Sequence, residues 1–217
     1  LYYMASGPLF AVLKSLAYED LAARSLRLIP LLAGLGQIEL CHRIMRLVFP
    51  RRPDLQSLGI VIGGLLPMNL YISQYAGNEA PAGFLSALTI LLLFSMMGSR
   101  NTLWRAAVLT GAVWGLALLT KATAILLAAP VMLVLLVVNA REDDRRAGMK
   151  RLFIGAAILF GAAFLISGWY YLRNWLELGR PFIGGWDTAR GISWWQDPGY
   201  RTPGHFLTFG QALWYPV

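Results

Sequence analysis

The chain has 217 residues, of which 57% are hydrophobic and only 14% charged, with a formal net charge of +8. Soluble domains carry about 25% charged residues, so the composition excludes a cytosolic enzyme as the starting assumption and reads as a polytopic membrane protein. Nucleic acid is excluded as the reason for the basic excess, because no basic stretch is interleaved with stacking aromatics.

Taken in chain order, residues 1–17 (LYYMASGPLFAVLKSLA) are apolar but short, broken by Gly7-Pro8 and opened by tyrosines, which predicts a helix lying at the membrane interface. Arg24 and Arg27 precede a first span running from Leu28 to about Phe49, whose second half carries Glu39, His42 and Arg43. Leu55 to Tyr75 is the second span, with Gly59, Gly63 and Gly64 as close-packing points. A polar connector over 74–81 follows, with Pro81 suited to a first helical turn, and residues 82–97 return across the membrane. The stretch 106–138 is apolar except for Thr120-Lys121-Ala122-Thr123; as one helix its 33 residues would reach about 50 Å. A bilayer core is about 30 Å thick, so two short spans with Lys121 at their turn are predicted. A last span, Leu152 to about Leu172, ends in the aromatic belt Trp169-Tyr170-Tyr171. The fold class is therefore all-α: a transmembrane helix bundle of about six spans plus an N-terminal interfacial helix. Residues 1–172 form its transmembrane core. Residues 173–217, with Trp175, Trp186, Trp194, Trp195 and Trp214, are expected as an extracytoplasmic segment lying against the membrane surface.

Arg43, Arg46, Arg51 and Arg52 fall in one connector, Arg100 and Arg105 in a second, and Arg141, Arg145, Arg146, Lys150 and Arg151 in a third. The positive-inside rule makes these connectors cytoplasmic and in contact with anionic lipid. Following the crossings from there, Glu79, Lys121, Arg173 and Asn174 all emerge on the outer face, as do Arg24 and Arg27. Each has a plain structural explanation. Glu79 suits a helix start, where negative charge is favoured; Lys121 can snorkel into water; Arg173 can anchor a helix end among lipid phosphates. The lone Cys41 reads as a small buried hydrophobe. His42 reads as an interfacial side chain with no ligand set around it except Glu39, His205 is likewise alone, and Asp187 and Asp197 read as turn formers. No residue is assigned to a metal.

The residues carry a family resemblance. Leu1-Tyr2-Tyr3 resembles the end of a Pro-Pro-Leu-Tyr-Tyr motif. Leu66-Pro67-Met68 with Asn78-Glu79 resembles a third-span proline and acidic pair, and Gly115-Leu116-Ala117-Leu118-Leu119-Thr120-Lys121 a Gly-Leu-Ala-x-Leu-Thr-Lys motif. Tyr171-Leu172-Arg173-Asn174 with Gly179-Arg180-Pro181-Phe182 resembles Tyr-x-Arg-Asn followed by Gly-x-Pro-Phe. In this order the motifs are similar to those of the GT-C membrane glycosyltransferases, in the group of protein O-mannosyltransferases and lipid A aminoarabinose transferases.

The resemblance implies transfer of a sugar from a polyprenyl-phosphate-linked donor to a lipid, glycan or protein acceptor on the outer face of a cell membrane. Glu79 would be the catalytic carboxylate, Lys121 and Arg173 donor-phosphate contacts, and Asn78, Arg27 and Asn174 further candidates. A divalent metal is left open as cofactor. The group's principal aspartate lies upstream of the Pro-Pro-Leu-Tyr-Tyr motif, so this chain alone is expected to be inactive and the longer parent to be the enzyme. Two rivals stand beside this reading: a transporter or lipid flippase whose path is lined by Glu39, His42 and Arg43, and a noncatalytic membrane scaffold.

Overall fold

Within a bilayer every backbone N–H and C=O must find its partner in the protein, which leaves helices as the simplest spanning elements. The computed structural model describes residues 2–16, 18–98, 103–140, 144–179 and 181–182, and it is helical, with no strand among those residues. In order the helices are α1 (Tyr2–Ser15), α2 (Glu19–Ser25), α3 (Leu28–Val48), α4 (Pro53–Gly59), α5 (Pro67–Gln74), α6 (Glu79–Gly98), α7 (Leu103–Thr120), α8 (Ala128–Ala140) and α9 (Arg145–Leu178). A π-helical turn, Ile60–Gly64, continues α4, and a 3-10 turn, Ala122–Leu127, leads into α8. Proline sets many of these starts. Pro30, Pro53, Pro67, Pro81 and Pro130 each lie in the first turn of their helix, where a backbone N–H has no acceptor to lose.

Among the described residues, Glu19–Val48, Glu79–Met97, Ala122–Ala140 and Arg146–Leu178 are long and apolar enough to cross a membrane. The pair Pro53–Gly64 and Pro67–Gln74 makes a fifth crossing if counted as one bent span, and Trp104–Thr120 is apolar but shorter. The all-α polytopic bundle expected from the sequence is thus the fold, with a helical stretch at each of the six expected positions.

The structure departs from expectation at three of the spans and at the N-terminal helix. The second is bent by 50°. The cause is Pro67, which offers no N–H and holds Leu66 in an extended conformation (φ −54°, ψ 129°), so the helix stops and restarts. The first span begins earlier, because α2 and α3 are interrupted only at Leu26 and Arg27. The last is longer at both ends. Finally, α1 runs through Gly7-Pro8 without a break, and the Tyr2 hydroxyl donates to the Leu26 carbonyl at 2.7 Å, seating α1 at the start of α3.

Helix directions follow from which residues meet. The α4–α5 pair returns antiparallel along α3: Gly59 backs onto Met45, Gly63 onto the Cys41 sulfur, Gly64 onto Ile38 and Gly34 onto Ser73. The three glycines singled out in the sequence are points where the missing Cβ lets two helices approach. The Cys41 thiol donates to the Gly59 carbonyl at 3.4 Å. The short connector after α5 then starts α6 at the same end as α3. Helix α7 is antiparallel to α6, with the Thr110 hydroxyl 3.5 Å from the Met96 sulfur. It runs parallel to α9, where Gly111 presses on the Leu159 carbonyl and Gly115 on the Ala163 carbonyl. Leu93, Met96, Trp114, Val131, Leu135 and Leu159 form the buried centre of α6 to α9.

The chain divides into two compact units, Leu1–Leu172 and Arg173–Val217. In the second, α9 ends at Gly179, whose positive φ of 71° suits a residue without a Cβ, and whose N–H reaches the Trp175 carbonyl at 2.9 Å. The expected surface-lying segment falls outside the described residues from 183 onward, together with Asp187, Asp197 and His205.

Candidate functional site

Glu79 is the first residue of α6, at the end of the helix with unpaired N–H groups and partial positive charge. Lys121 follows directly on α7, at the end with unpaired carbonyls and partial negative charge. Because α6 and α7 are antiparallel neighbours, these two ends coincide. Each charge therefore sits at the helix terminus that favours it, and the two meet, Lys121 Nζ lying 3.2 Å from Glu79 Oε1. Beside them the Asn78 amide donates to the Thr120 carbonyl at 2.8 Å. Glu79 is 41% and Lys121 38% exposed, so the pair is open to an incoming group.

The backbone around the pair is specialised. Lys121 is extended (φ −153°, ψ 127°) between two helical segments. It is the turn that the apolar length of 106–138 predicts between two short spans. Four groups hold it. The Lys121 N–H donates to the Ala117 carbonyl at 2.9 Å, and the Tyr171 hydroxyl to the Leu118 carbonyl at 2.7 Å. Asn78 takes the Thr120 carbonyl, and the Trp114 indole N–H donates to the Ala124 carbonyl at 2.8 Å. On the other side Gly77 lets the carboxylate fold back: a Cβ there would lie 2.8 Å from Glu79 Oε2.

An open apolar groove of about 310 Å³ lies between the first two turns of α3 and of α6, lined by Ile29, Leu32, Ala33, Pro81, Phe84 and Leu85. Its wall includes Pro81, two positions after Glu79.

Of the residues singled out from the sequence, the structure brings Asn78, Glu79 and Lys121 together. Arg27 is an exposed turn residue ahead of α3, with no ion pair to an acid among the described residues. Arg173 and Asn174 belong to the second unit. There Arg173 Nε lies 3.0 Å from both carboxylate oxygens of Glu177, and the buried Asn174 amide donates to the Pro181 carbonyl at 3.2 Å. The Arg-Asn and Gly-x-Pro-Phe motifs are thus linked locally, the asparagine holding the chain after the turn at Gly179. Glu39 pairs with Arg43 at 2.7 Å and lies 3.9 Å from His42 Nδ1, all on one face of α3. No group of three or more His, Cys, Asp or Glu positioned to hold a metal occurs among the described residues.

Two residues that the sequence reading did not place at this site, Trp114 and Tyr171, hold the break on which Lys121 sits. Tyr171 reads as a member of an aromatic belt. Trp114 carries a signal in retrospect: tryptophan in spans belongs mostly to the interfaces, and an indole N–H within a helix bundle demands an acceptor.

A family profile described as dolichyl-phosphate-mannose-protein mannosyltransferase matches residues 9–169. No curated protein and no solved structure matches the chain.

Proposed function

We propose, from the premise that this chain belongs to the dolichyl-phosphate-mannose-protein mannosyltransferase family, that it carries site residues for transfer of a sugar from a polyprenyl-phosphate donor to an acceptor hydroxyl on the extracytoplasmic face. Membership makes it a membrane protein of glycosyltransferase type; the donor, the acceptor side and the residue roles are the proposal. The observation that carries them is the Glu79–Lys121 pair at the shared end of α3, α6 and α7. A pair this exposed contributes about 0–1 kcal/mol to stability. Stability is therefore a weak reason to keep two ionised groups at the ends of membrane helices, and chemistry is a better one.

The reaction has plain requirements. The acceptor oxygen attacks the anomeric carbon, the bond from that carbon to the phosphate oxygen breaks with its electron pair going to the phosphate, and the acceptor's proton must go to a base. Glu79 supplies a carboxylate for the proton. Lys121 supplies a cation for the negative charge gathering on the phosphate. Their contact suggests an order: the entering phosphate competes for the ammonium and frees Glu79 Oε1 to take the proton. The adjoining apolar groove is suited to the first isoprene units of the lipid. Arg173 is proposed as a second phosphate contact or a helix anchor, with Asn174 and Arg27 as supporting candidates.

The transporter reading is disfavoured by the ionisable groups of α3. Glu39, His42 and Arg43 interact along one helix face at helical spacing, whereas a transport path needs partners on facing helices around the membrane midplane.

The test uses the full gene product in lipid nanodiscs with a polyprenyl-phosphate mannose donor. Glu79→Gln is expected to lower turnover by about 100-fold or more, the usual range for removing a general base. Lys121→Ala is expected to do so by a similar factor, with membrane insertion unchanged in both. Near-normal turnover in the two variants removes the assignment.

A further inference from the structure

We propose that Trp114 is a positioning residue for Lys121: its indole N–H spans the break between α7 and α8 and fixes where the ammonium stands. The inference rests on the reading of Lys121 as a donor-phosphate contact.

A helix that ends leaves its last carbonyls without partners, and at the end of α7 those of Ala117, Leu118 and Thr120 are each taken by a named donor: the Lys121 N–H, the Tyr171 hydroxyl and the Asn78 amide. Those bonds fix the chain up to Thr120. Past the break the 3-10 turn packs on α7 and α6 and leads into the buried core, but apolar contact is non-directional, and the setting of the extended Lys121 backbone needs a directional bond on the far side. The Ala124 N–H to Lys121 carbonyl bond, 3.1 Å, only ties the new turn to the break itself. The Trp114 bond to the Ala124 carbonyl joins the turn back to α7 across ten residues, closing a loop with Lys121 inside it.

Trp114 is built to be a fixed point. It is 3% exposed. Its ring meets Phe160 of α9 edge-on, with centroids 5.2 Å apart, in the favourable geometry for two aromatic rings. The glycine beside it, Gly115, lets α7 press on α9, since a Cβ there would lie 2.8 Å from the Ala163 carbonyl. Ala124 is also buried, so its carbonyl has little access to another donor. The Trp114 bond therefore transmits the fixed packing of α7 on α9 to the residue pair at the helix ends.

Trp114→Phe keeps an aromatic ring and removes the donor. In the full gene product the expected result is a donor KM raised about tenfold to a hundredfold, the scale of a misplacement near 1 Å, with acceptor KM unchanged. The decisive measurement is a double-mutant cycle. In a Lys121→Ala background, Trp114→Phe should have no further effect, because the residue it positions is gone. Independently of turnover, Lys121 should react faster with a membrane-impermeant amine reagent when Trp114 is phenylalanine, as its pairing with Glu79 loosens. Tyr171→Phe, which removes only the hydroxyl bonded to the Leu118 carbonyl, should produce the same two effects, and it serves as the test if Trp114→Phe does not insert. Additive losses in the cycle, or unchanged Lys121 reactivity in both variants, overturn the proposal. Full turnover in Lys121→Ala alone would instead remove the donor-phosphate reading and leave the reactivity measurement to judge the positioning.

Discussion

Glu79 and Lys121 each have an ordinary reason for their place, a negative charge at a helix start and a positive one at a helix end. Their meeting comes from the antiparallel pairing of α6 and α7. The finer control lies in Gly77. A methyl group there would lie 2.8 Å from Glu79 Oε2 and 3.0 Å from the Tyr75 ring. The carboxylate oxygen is the far end of a flexible side chain and can move, so Gly77→Ala is expected to displace the carboxylate and leave the fold nearly intact. On the proposed role of Glu79 as the base, turnover per folded molecule should fall about tenfold. Thermal unfolding should shift by less than about 1 kcal/mol, since no backbone clash is introduced. A large loss of stability with normal specific activity would show that Gly77 serves packing and leaves the carboxylate alone. At this scale the sequence was half legible. Lys121 stood out because it interrupts an apolar stretch too long for one crossing, and Glu79 because its connector carries no Lys or Arg. Trp114 did not, because a tryptophan in an apolar helix looks like packing until the acceptor of its N–H is known.

At the scale of elements, what joins α7 to α9 is an absence of side chains. Gly111 lies so close to the Leu159 carbonyl that a Cβ could not fit without backbone movement. Gly115 repeats this contact one turn later against Ala163, a small-residue spacing that lets membrane helices approach closely. Gly111→Ala is therefore expected to destabilise the bundle by about 1–3 kcal/mol, the range for overpacking, seen as a lower unfolding temperature in nanodiscs. The same change at Gly161 of α9, where nothing lies within 4 Å, should be close to neutral, and equal effects at the two sites would contradict this account of the interface. Apolar length and the basic connectors located the six helical stretches, of which four, or five with the bent pair, are long enough to cross among the described residues, but not the bend in the second. A proline inside an apolar run can sit at a first turn, a kink or a break, and the choice for Pro67 depends on the packing of α4 and α5 along α3. The closeness of α7 and α9 was equally hidden, since glycine in a span is compatible with many partners.

For the whole molecule, the alternation of helix directions gathers unlike residues at opposite ends. Arg51 and Arg52 precede α4, Arg105 lies in the first turn of α7, and Arg146, Lys150 and Arg151 open α9. The starts of α3 and α6 and the end of α7 carry Glu79 and Lys121 at the other end. A basic end of this kind belongs on the cytoplasmic side, which would put the candidate site outside, the side that the proposed transfer requires. That orientation can be measured without any assumption about chemistry. With Cys41 replaced by alanine, a single cysteine at Tyr75, a 61% exposed residue just before α6, is expected to react with a membrane-impermeant maleimide in intact cells. A single cysteine at the exposed Lys150, in the first turns of α9, is expected to react only after the membrane is opened. The reverse pattern would turn the bundle over and put the Glu79–Lys121 pair on the cytoplasmic side. The proposed acceptor side would then be wrong, even if both residues proved essential for transfer.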